Sequence, residues 1–466
     1  MEGVPLISRP APVKLPVPKR SWYARLEPPQ LIALVYFVGI LLATAALHLP
    51  GVLRDGAEMT SVDLLFTATS ALTITGLVVA DTGETFTRYG QYILMLLFEL
   101  GGLGILSFGT LFAFVTGRRV NFSERQHLQA QISGLDTGTV VQLLRTIFAY
   151  AIGLQLIGAL LLALRFVPQF GLGEGLFQAV FHAVSAFNNA GFVVVPGGMG
   201  QYVTDPLVSL TISGLVILGA LGFIVQFNVV NWLQQPRQHR LTVYSLLTLV
   251  TTAALLVVGF LTVLLLESNN QATLQPLPWH GKLLASFFQS MTPRSGGFNT
   301  VDIESMRTAT LMVIIALMYI GGGSGSTGGG IKTSTFAILV GSAWNMVRGR
   351  GELIAFGRRV EKDNLVRATA VTMLYTMMVM GAFFLLLLTN PHMDFTHLLF
   401  ETVSAAATVG LSMNTTAHIN DAGLVILSIL MYLGRIGPLT FAVAFTLRSQ
   451  ARSGVKYPPE RDILVG

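Results

Sequence analysis

The sequence predicts an all-α polytopic membrane protein: four helix–re-entrant helix–helix repeats in one chain around a pseudo-four-fold axis. Eight membrane-spanning helices and four re-entrant helices are expected. Three observations predict this. The 466 residues are 52% hydrophobic and only 11% charged, whereas a soluble domain carries roughly 25% charged residues. Apolar runs of bilayer-spanning length, about 20 residues each, lie near 31–49, 90–115, 141–166, 206–233, 242–266, 308–347, 366–389 and 422–447. One short glycine segment recurs between the two members of every pair of runs, and self-similarity at a long period is an architectural signal.

The four segments are Ser70-Ala71-Leu72-Thr73-Ile74-Thr75-Gly76-Leu77, Ser185-Ala186-Phe187-Asn188-Asn189-Ala190-Gly191-Phe192, Met291-Thr292-Pro293-Arg294-Ser295-Gly296-Gly297-Phe298 and Ser404-Ala405-Ala406-Ala407-Thr408-Val409-Gly410-Leu411. Each glycine precedes Leu or Phe and follows, ten residues on, a Phe: Phe66, Phe181, Phe287 and Phe400. Successive glycines are 115, 106 and 113 residues apart. The stretches before them (61–74, 175–188, 280–293 and 395–407) are too short to cross a bilayer and fit re-entrant helices. Non-helical backbone at membrane depth is tolerated only where protein or water shields it. Glycine gives the backbone freedom that other residues lack. Four such segments around an axis could therefore present carbonyl oxygens to a bare cation. The candidate residues are Ile74, Thr75 and Gly76; Asn189, Ala190 and Gly191; Ser295, Gly296 and Gly297; and Thr408, Val409 and Gly410. The expected division is a tail over 1–29, repeats over 30–118, 119–236, 237–350 and 351–448, and a tail over 449–466.

Charge sets the expected orientation. Of 29 basic residues, 21 fall in the tails and between the repeats, among them Arg118, Arg119, Arg237, Arg240, Arg358 and Arg359. The positive-inside rule puts both termini and these loops in the cytoplasm. The opposite side holds acids including Asp55, Asp81, Glu174, Asp205, Glu267, Asp302, Glu304 and Glu401, with Arg54, Arg88, Lys282, Arg294 and Arg307 opposing them. An acidic mouth would concentrate cations. This distribution, rather than the net charge of +6, argues against nucleic-acid binding. The absence of cysteine removes disulfides and thiolate chemistry. Ala43-Thr44-Ala45 resembles a signal-cleavage site, but the leader would be long and its removal would take the first helix.

A second motif supports the repeat. Small-residue quartets Gly101-Gly102-Leu103-Gly104, Gly219-Ala220-Leu221-Gly222, Gly321-Gly322-Gly323-Ser324 and Gly434-Arg435-Ile436-Gly437 begin 25, 28, 24 and 24 residues after their segment's glycine. Packing between membrane helices explains small residues but not the Arg435 that replaces Gly102, Ala220 and Gly322 at one of four equivalent positions. Intramembrane charges default to functional hypotheses. Arg435 is expected to reach the carbonyls of the third repeat, the hydroxyls of Ser324, Ser326 and Thr327, or Glu99; the alternative is that it snorkels outward. In the third repeat, residues 321–330 contain seven glycines, each costing a helix about 1 kcal/mol. A broken helix and a flexible loop at membrane depth are expected there.

Gly323-Ser324-Gly325-Ser326-Thr327-Gly328 fits the dinucleotide fingerprint, but no βαβ unit or suitably placed acid accompanies it. Gly325 to Lys332 resembles a phosphate loop, yet Ile331 separates Gly330 from Lys332. His182, His280, His48, His392, His397 and His418 show no metal-ligand spacing and read as interface or mouth residues. Glu99 reads either as a buried, paired acid or as a carboxylate lining the path. No nucleophile–base arrangement supports an enzyme.

These segments, with Gly325-Ser326-Thr327-Gly328-Gly329-Gly330-Ile331-Lys332 and Gly434-Arg435-Ile436-Gly437-Pro438, resemble the Trk/Ktr/HKT superfamily over residues 30–448. With no additional hairpin before the first repeat, the resemblance is strongest to its KtrB-type branch, the membrane subunits of bacterial Ktr potassium uptake systems. The resemblance implies potassium (K+) uptake across the inner membrane through one short carbonyl filter. Gly76, Gly191, Gly297 and Gly410 are then its glycines, and Gly321, Gly322, Gly323, Ser324, Gly325, Ser326, Thr327, Gly328, Gly329, Gly330 and Lys332 its gating loop. Arg435 faces that loop. It further implies a homodimer, each subunit with its own pore, surrounded by membrane lipid, and sodium (Na+) as a candidate activator. A cytosolic RCK-type, KtrA-like ring would carry the nucleotide (ATP/ADP or NAD). Ser295-Gly296 stands where relatives often have Thr-Ala, which is expected to loosen the local backbone. The rival readings are a TrkH-like or sodium-permeating relative, and an alternating-access transporter with broken-helix sites.

Overall fold

The computed structural model describes residues 28–104, 137–349 and 353–437, with side chains from residue 30 in the first stretch and from 145 in the second. The tail up to residue 27, the run beyond Gly104 and everything beyond Gly437 lie outside these residues. The described chain is mostly helical, with one small hairpin, Ile354–Ala355 paired antiparallel with Arg358–Arg359.

The same local order appears four times. A long apolar helix comes first: α1 (Pro28–Leu47), α4 (Thr137–Phe170), α8 (Val243–Glu267) and α12 (Lys362–Thr389). A short helix follows: α2 (Ser61–Leu72), α5 (Leu172–Phe187), α9 (Trp279–Met291) and α13 (Phe395–Ala406). The glycine segment then leads into a second helix: α3 (Arg88–Leu103), α6 (Pro206–Leu221), α10 (Thr308–Tyr319) and α14 (Asp421–Ile436). Two further helices, α7 (Phe223–Gln234) and α11 (Thr333–Val347), continue α6 and α10 beyond a break.

Local chemistry sets the short helices. Thr60 and Asp63 form a capping box at the start of α2, and the Asp394 carboxylate accepts the Thr396 N–H at the start of α13. These contacts satisfy N-terminal donors that the helix leaves unpaired. Phe66, Phe181 and Phe400 are completely buried, which accounts for three of the recurring phenylalanines as core.

Four helices contain stretches long and apolar enough to cross a membrane: Gln30–Leu47, Arg145–Phe170, Val243–Glu267 and Lys362–Thr389. They expose Leu164, Leu265 and Met377, an outer apolar surface fit for lipid rather than water. The second helices are shorter than the sequence predicts, because each stops at its quartet. Gly104, Gly222 and Gly437 end theirs at φ values of 85°, 88° and 90°, a region in which an L side chain is strained. Across Gly222 the chain bends by 102° between α6 and α7. The run expected over 206–233 is thereby divided between α6 and α7, while those expected over 90–115 and 422–447 extend past Gly104 and Gly437, outside the described residues. A single glycine in an apolar run looks tolerable in sequence, but here its φ breaks the helix. The third repeat breaks as expected, between Tyr319 and Thr333.

The quartets also explain how the short helices dock. A Cβ on Gly101, Gly219 or Gly434 would overlap the carbonyl oxygen of Leu72, Phe187 or Ala406, the last residues of α2, α5 and α13. These three short helices therefore rest their C-termini directly on the second helix of their own repeat. The last described helix closes on the first: α14 packs against α1 and α2, and the Tyr432 hydroxyl donates to the Ala33 carbonyl at 2.8 Å.

Gly434→Val places branched atoms against Ala406, and overpacking of this kind costs about 1–3 kcal/mol. The expected outcome is a clear fall in the detergent melting temperature. A melting curve coincident with that of the parent would show that α13 does not need this contact.

Candidate functional site

The four glycine segments share one backbone conformation. The residue two before each glycine lies in the left-handed region: Ile74 at φ 53°, Asn189 at 59°, Ser295 at 66° and Thr408 at 48°. The glycines follow at 91°, 71°, 73° and 90°. In between, the N–H groups of Thr75, Ala190 and Val409 donate to the carbonyls of Ser70, Ser185 and Ser404 at 2.8, 2.8 and 2.9 Å. In the third segment, the Gly296 N–H donates to the Thr292 carbonyl at 2.8 Å. Sequence reading named Ile74, Asn189, Ser295 and Thr408 among the candidate residues but not their left-handed conformation, since β-branched Ile74 and Thr408 are unfavourable there and carry no compositional signal.

The shared conformation brings the segments onto one axis as a closed ring. A Cβ built on Gly76 would overlap the Ala190 carbonyl oxygen, and one on Gly191 would lie 3.4 Å from that of Gly296. One on Gly297 would lie 2.7 Å from the Val409 oxygen, and one on Gly410 would overlap that of Thr75. The carbonyl before each glycine thus abuts the preceding repeat's glycine, in chain order around the circle. All four glycines line one vestibule of about 280 Å³, together with Asp81, Asn299, Ser412 and Asn414.

The loop of the third repeat lies beneath this ring. The Gly321 and Gly322 N–H groups donate to the Ile331 and Gly329 carbonyls at 3.0 and 3.3 Å. Gly323 and Thr327 donate to Ala220 and Gly219 of the second quartet at 2.8 and 3.3 Å, and the Gly325 carbonyl accepts the Phe223 N–H at 3.2 Å. The Ser324 carbonyl takes the Tyr244 hydroxyl at 2.9 Å, and the Ser326 hydroxyl turns back to the Gly323 carbonyl at 2.7 Å. Lys332 Nζ donates to the Gly328 carbonyl at 2.7 Å, and Gly330 takes a φ of 69°. The Asn189 amide and the Thr408 and Thr327 hydroxyls are buried without a protein hydrogen-bond partner. A Cβ on Gly219 would lie 2.6 Å from Asn189 Oδ1 and 3.0 Å from Thr327 Oγ1, so these polar atoms sit where ring and loop meet.

Arg435 turns inward. Its guanidinium donates to the Thr327 carbonyl at 2.6 Å, to the Tyr36 hydroxyl at 3.3 Å and to the Gly101 carbonyl. The expected carbonyl of the third repeat is found. The Ser324, Ser326 and Thr327 hydroxyls and Glu99 are not its partners, because Glu99 already accepts from Gln155 at 3.0 Å and from Asn188. That pairing favours the bland reading of Glu99. It braces α3 and α4 against the end of α5.

The expected acidic mouth is corrected at five residues. Arg294 is buried at 4% exposure and points behind the ring, toward the Thr252 and Gly321 carbonyls at 3.4 and 3.2 Å. Glu267 is buried and accepts from Asn270, Thr273, Thr310 and the Arg307 N–H. Glu401, also buried, takes the Thr416 hydroxyl. Glu174 and Asp205 are spent on ion pairs with Arg88 and Arg165. Asp81 remains exposed on the vestibule. His182 is a buried core residue rather than an interface one: its Nε2 accepts the Val194 N–H at 3.2 Å and its Nδ1 faces the Gln178 carbonyl at 2.7 Å. Among the described residues, no His, Asp and Glu group is arranged to hold a metal ion.

Apolar helices that bring four backbone segments onto one axis point to a membrane transport protein. Residues 23–454 match the TrkH family, described as cation transport protein, and the chain belongs to that family. It is 39% identical to Ktr system potassium uptake protein B of Bacillus subtilis, over 94% of this chain and 96% of that one. It is likewise 39% identical to Ktr system potassium uptake protein B of Vibrio alginolyticus, over 93% and 94%. Potassium/sodium uptake protein NtpJ of Enterococcus hirae is 35% identical over 96% of this chain and 99% of its own. The crystal structure of the potassium transporter TrkH from Vibrio parahaemolyticus has the same fold, with a TM-score of 0.71 at 18% identity, covering 89% of this chain and 84% of that one. These are transport proteins rather than enzymes.

At Gly297 a side chain would meet Gly191 Cα and the Val409 oxygen, each at 2.7 Å, at a φ of 73°. A left-handed L residue costs about 1–2 kcal/mol before any clash. Gly297→Ser should therefore weaken the apparent affinity for transported potassium by about tenfold or more and let sodium compete better. An unchanged affinity at normal protein level would remove Gly297 from the ion path.

Proposed function

We propose that the chain takes up potassium across the bacterial inner membrane through a pore on the axis of the four glycines. The observation that carries this reading is the ring itself: each carbonyl before a glycine abuts the preceding repeat's glycine, in all four repeats. Oxygens fixed in such a ring can replace the water around a potassium ion without reorganising. The reading is supported by two relatives named for potassium uptake at 39% identity.

In this mechanism, Ile74, Thr75, Gly76, Asn189, Ala190, Gly191, Ser295, Gly296, Gly297, Thr408, Val409 and Gly410 form the single filter. Residues 321–332 obstruct the path below it. Arg435 pins the loop through Thr327 and adds a positive charge near the conduit; both raise the barrier to a cation. Eight crossings in four repeats, both termini in the cytoplasm, and a homodimer with one pore per subunit complete the arrangement. A cytosolic RCK-type ring carrying ATP/ADP or NAD would move the loop, and sodium is a candidate activator. The name of the Enterococcus relative keeps a sodium-permeating reading in view.

Growth rescue tests the reading. A bacterium lacking potassium uptake should grow on low potassium when given this chain together with an RCK-type partner. Failure to grow with both proteins present in the cell would count against potassium as the substrate.

Two variants test the gate. Deleting residues 323–328 should leave an inserted protein whose flux exceeds that of the parent; an inserted deletion that conducts no faster sinks the gating role. Arg435→Ala removes a charge-assisted hydrogen bond worth about 1.5–3 kcal/mol. It should raise partner-independent flux by about ten- to a hundredfold where the closed loop dominates, with Arg435→Lys intermediate because the planar fork is lost. If both arginine variants conduct like the parent and lose only detergent stability, Arg435 is a structural anchor.

A further inference from the structure

Arg294 and Ser295 are neighbours in the third glycine segment, yet they hold opposite ends of the loop. Arg294 Nη2 donates to the carbonyl of Gly321, where α10 has just ended, at 3.2 Å, and lies 3.5 Å from the Thr333 hydroxyl at the start of α11. Among the described residues it has no carboxylate partner. A buried guanidinium keeps its charge, so this one depends on backbone carbonyls for compensation, and one of them belongs to the loop.

Ser295 holds the other end. Its hydroxyl accepts the Gly329 N–H at 3.1 Å and faces the Ala407 carbonyl of the fourth segment at 3.5 Å. A Cβ on Gly329 would overlap both the Ala407 oxygen and Thr408 Oγ1, so the end of the loop is wedged against two ring segments at once. Ser295 occupies the left-handed position whose conformation aims the Gly296 carbonyl at Gly191. A change at the Ser295 hydroxyl therefore acts one residue from an oxygen of the ring.

We propose that Arg294 and Ser295 form a mechanical link between gate and filter, so that the loop's position alters the affinity of the ring for its ion. The link rests on the reading of residues 321–332 as the gate. With the loop in place, the Gly329 N–H fixes Ser295 and, through it, the Gly296 carbonyl. When the loop leaves, Ser295 loses that donor and the third segment relaxes. Linkage makes the effect reciprocal: an ion that binds better to the relaxed ring favours the open loop by the same factor. Ser295 acts here as a positioning residue, since its side chain faces the loop rather than the vestibule.

The test is a double-mutant cycle on the full chain in phosphatidylethanolamine–phosphatidylglycerol vesicles, reading potassium uptake against potassium concentration. Arg435→Ala frees the loop without touching the third segment. Ser295→Ala should raise partner-independent flux by about three- to tenfold, the shift expected from one lost hydrogen bond, and should change the KM for potassium as well. In the Arg435→Ala background, the KM change caused by Ser295→Ala should shrink severalfold, because the contact is already broken. Ser295→Thr keeps the hydroxyl at a position where Thr408 already tolerates the same backbone, and should lie nearer the parent KM than Ser295→Ala.

The same KM change in both backgrounds would overturn the link and make Ser295 a filter residue alone. No change in either background would overturn it too. If the 323–328 deletion leaves flux unchanged, the gate reading fails, and the link fails with it.

Discussion

Close backbone approach is the constraint on which the rest of this structure depends. At the ring, Gly76, Gly297 and Gly410 meet their neighbours' carbonyl oxygens at separations that exclude a Cβ, and Gly191 meets the Gly297 Cα just as closely. At the quartets, three further glycines let the ends of the short helices rest on the second helices. Side chains do the ordinary work of the core, with Phe66, Phe181 and Phe400 fully buried. The site itself is made of main chain. That suits a cation, because carbonyl oxygens are fixed in number and direction once the backbone is fixed.

A site made of main chain carries a cost at membrane depth, where each polar group outside a helix needs a partner. The loop of the third repeat meets it by borrowing from its surroundings. Gly323 and Thr327 donate to the second quartet, Arg435 and Lys332 donate to Thr327 and Gly328, and Tyr244 caps Ser324. All of these partners but Lys332 lie outside the loop, so the loop has a definite resting place and can also be released. The polar side chains of Asn189, Thr327 and Thr408, left without protein partners where ring and loop meet, make that junction hospitable to water or to an ion.

Much of the architecture was legible because it is written four times. The recurring glycine, the Phe ten residues before it and the quartet about 25 residues after it located the short helices and the ring. The helix ends at Gly104, Gly222 and Gly437 were not legible, since a glycine within an apolar run looks tolerable in a helix and only its φ of 85–90° ends it. Arg294 was misread for a related reason. Its place among acidic loops implied a residue at the mouth, whereas the segment's turn carries its side chain behind the ring. Sequence gives the position of a charge along the chain, and the direction in which it leaves the backbone depends on a conformation set by contacts far away.

The central claim is that one cation sits within the ring of Thr75, Ala190, Gly296 and Val409 carbonyls, above a loop that closes the path. Anomalous diffraction from crystals of the chain grown in rubidium or thallium, each a substitute for potassium, tests it most directly. The account predicts an anomalous peak on the ring's axis, surrounded by those four oxygens, with the loop below it. A ring with no peak, and density instead beside Glu99 or between Asp81 and the outer loops, would contradict it.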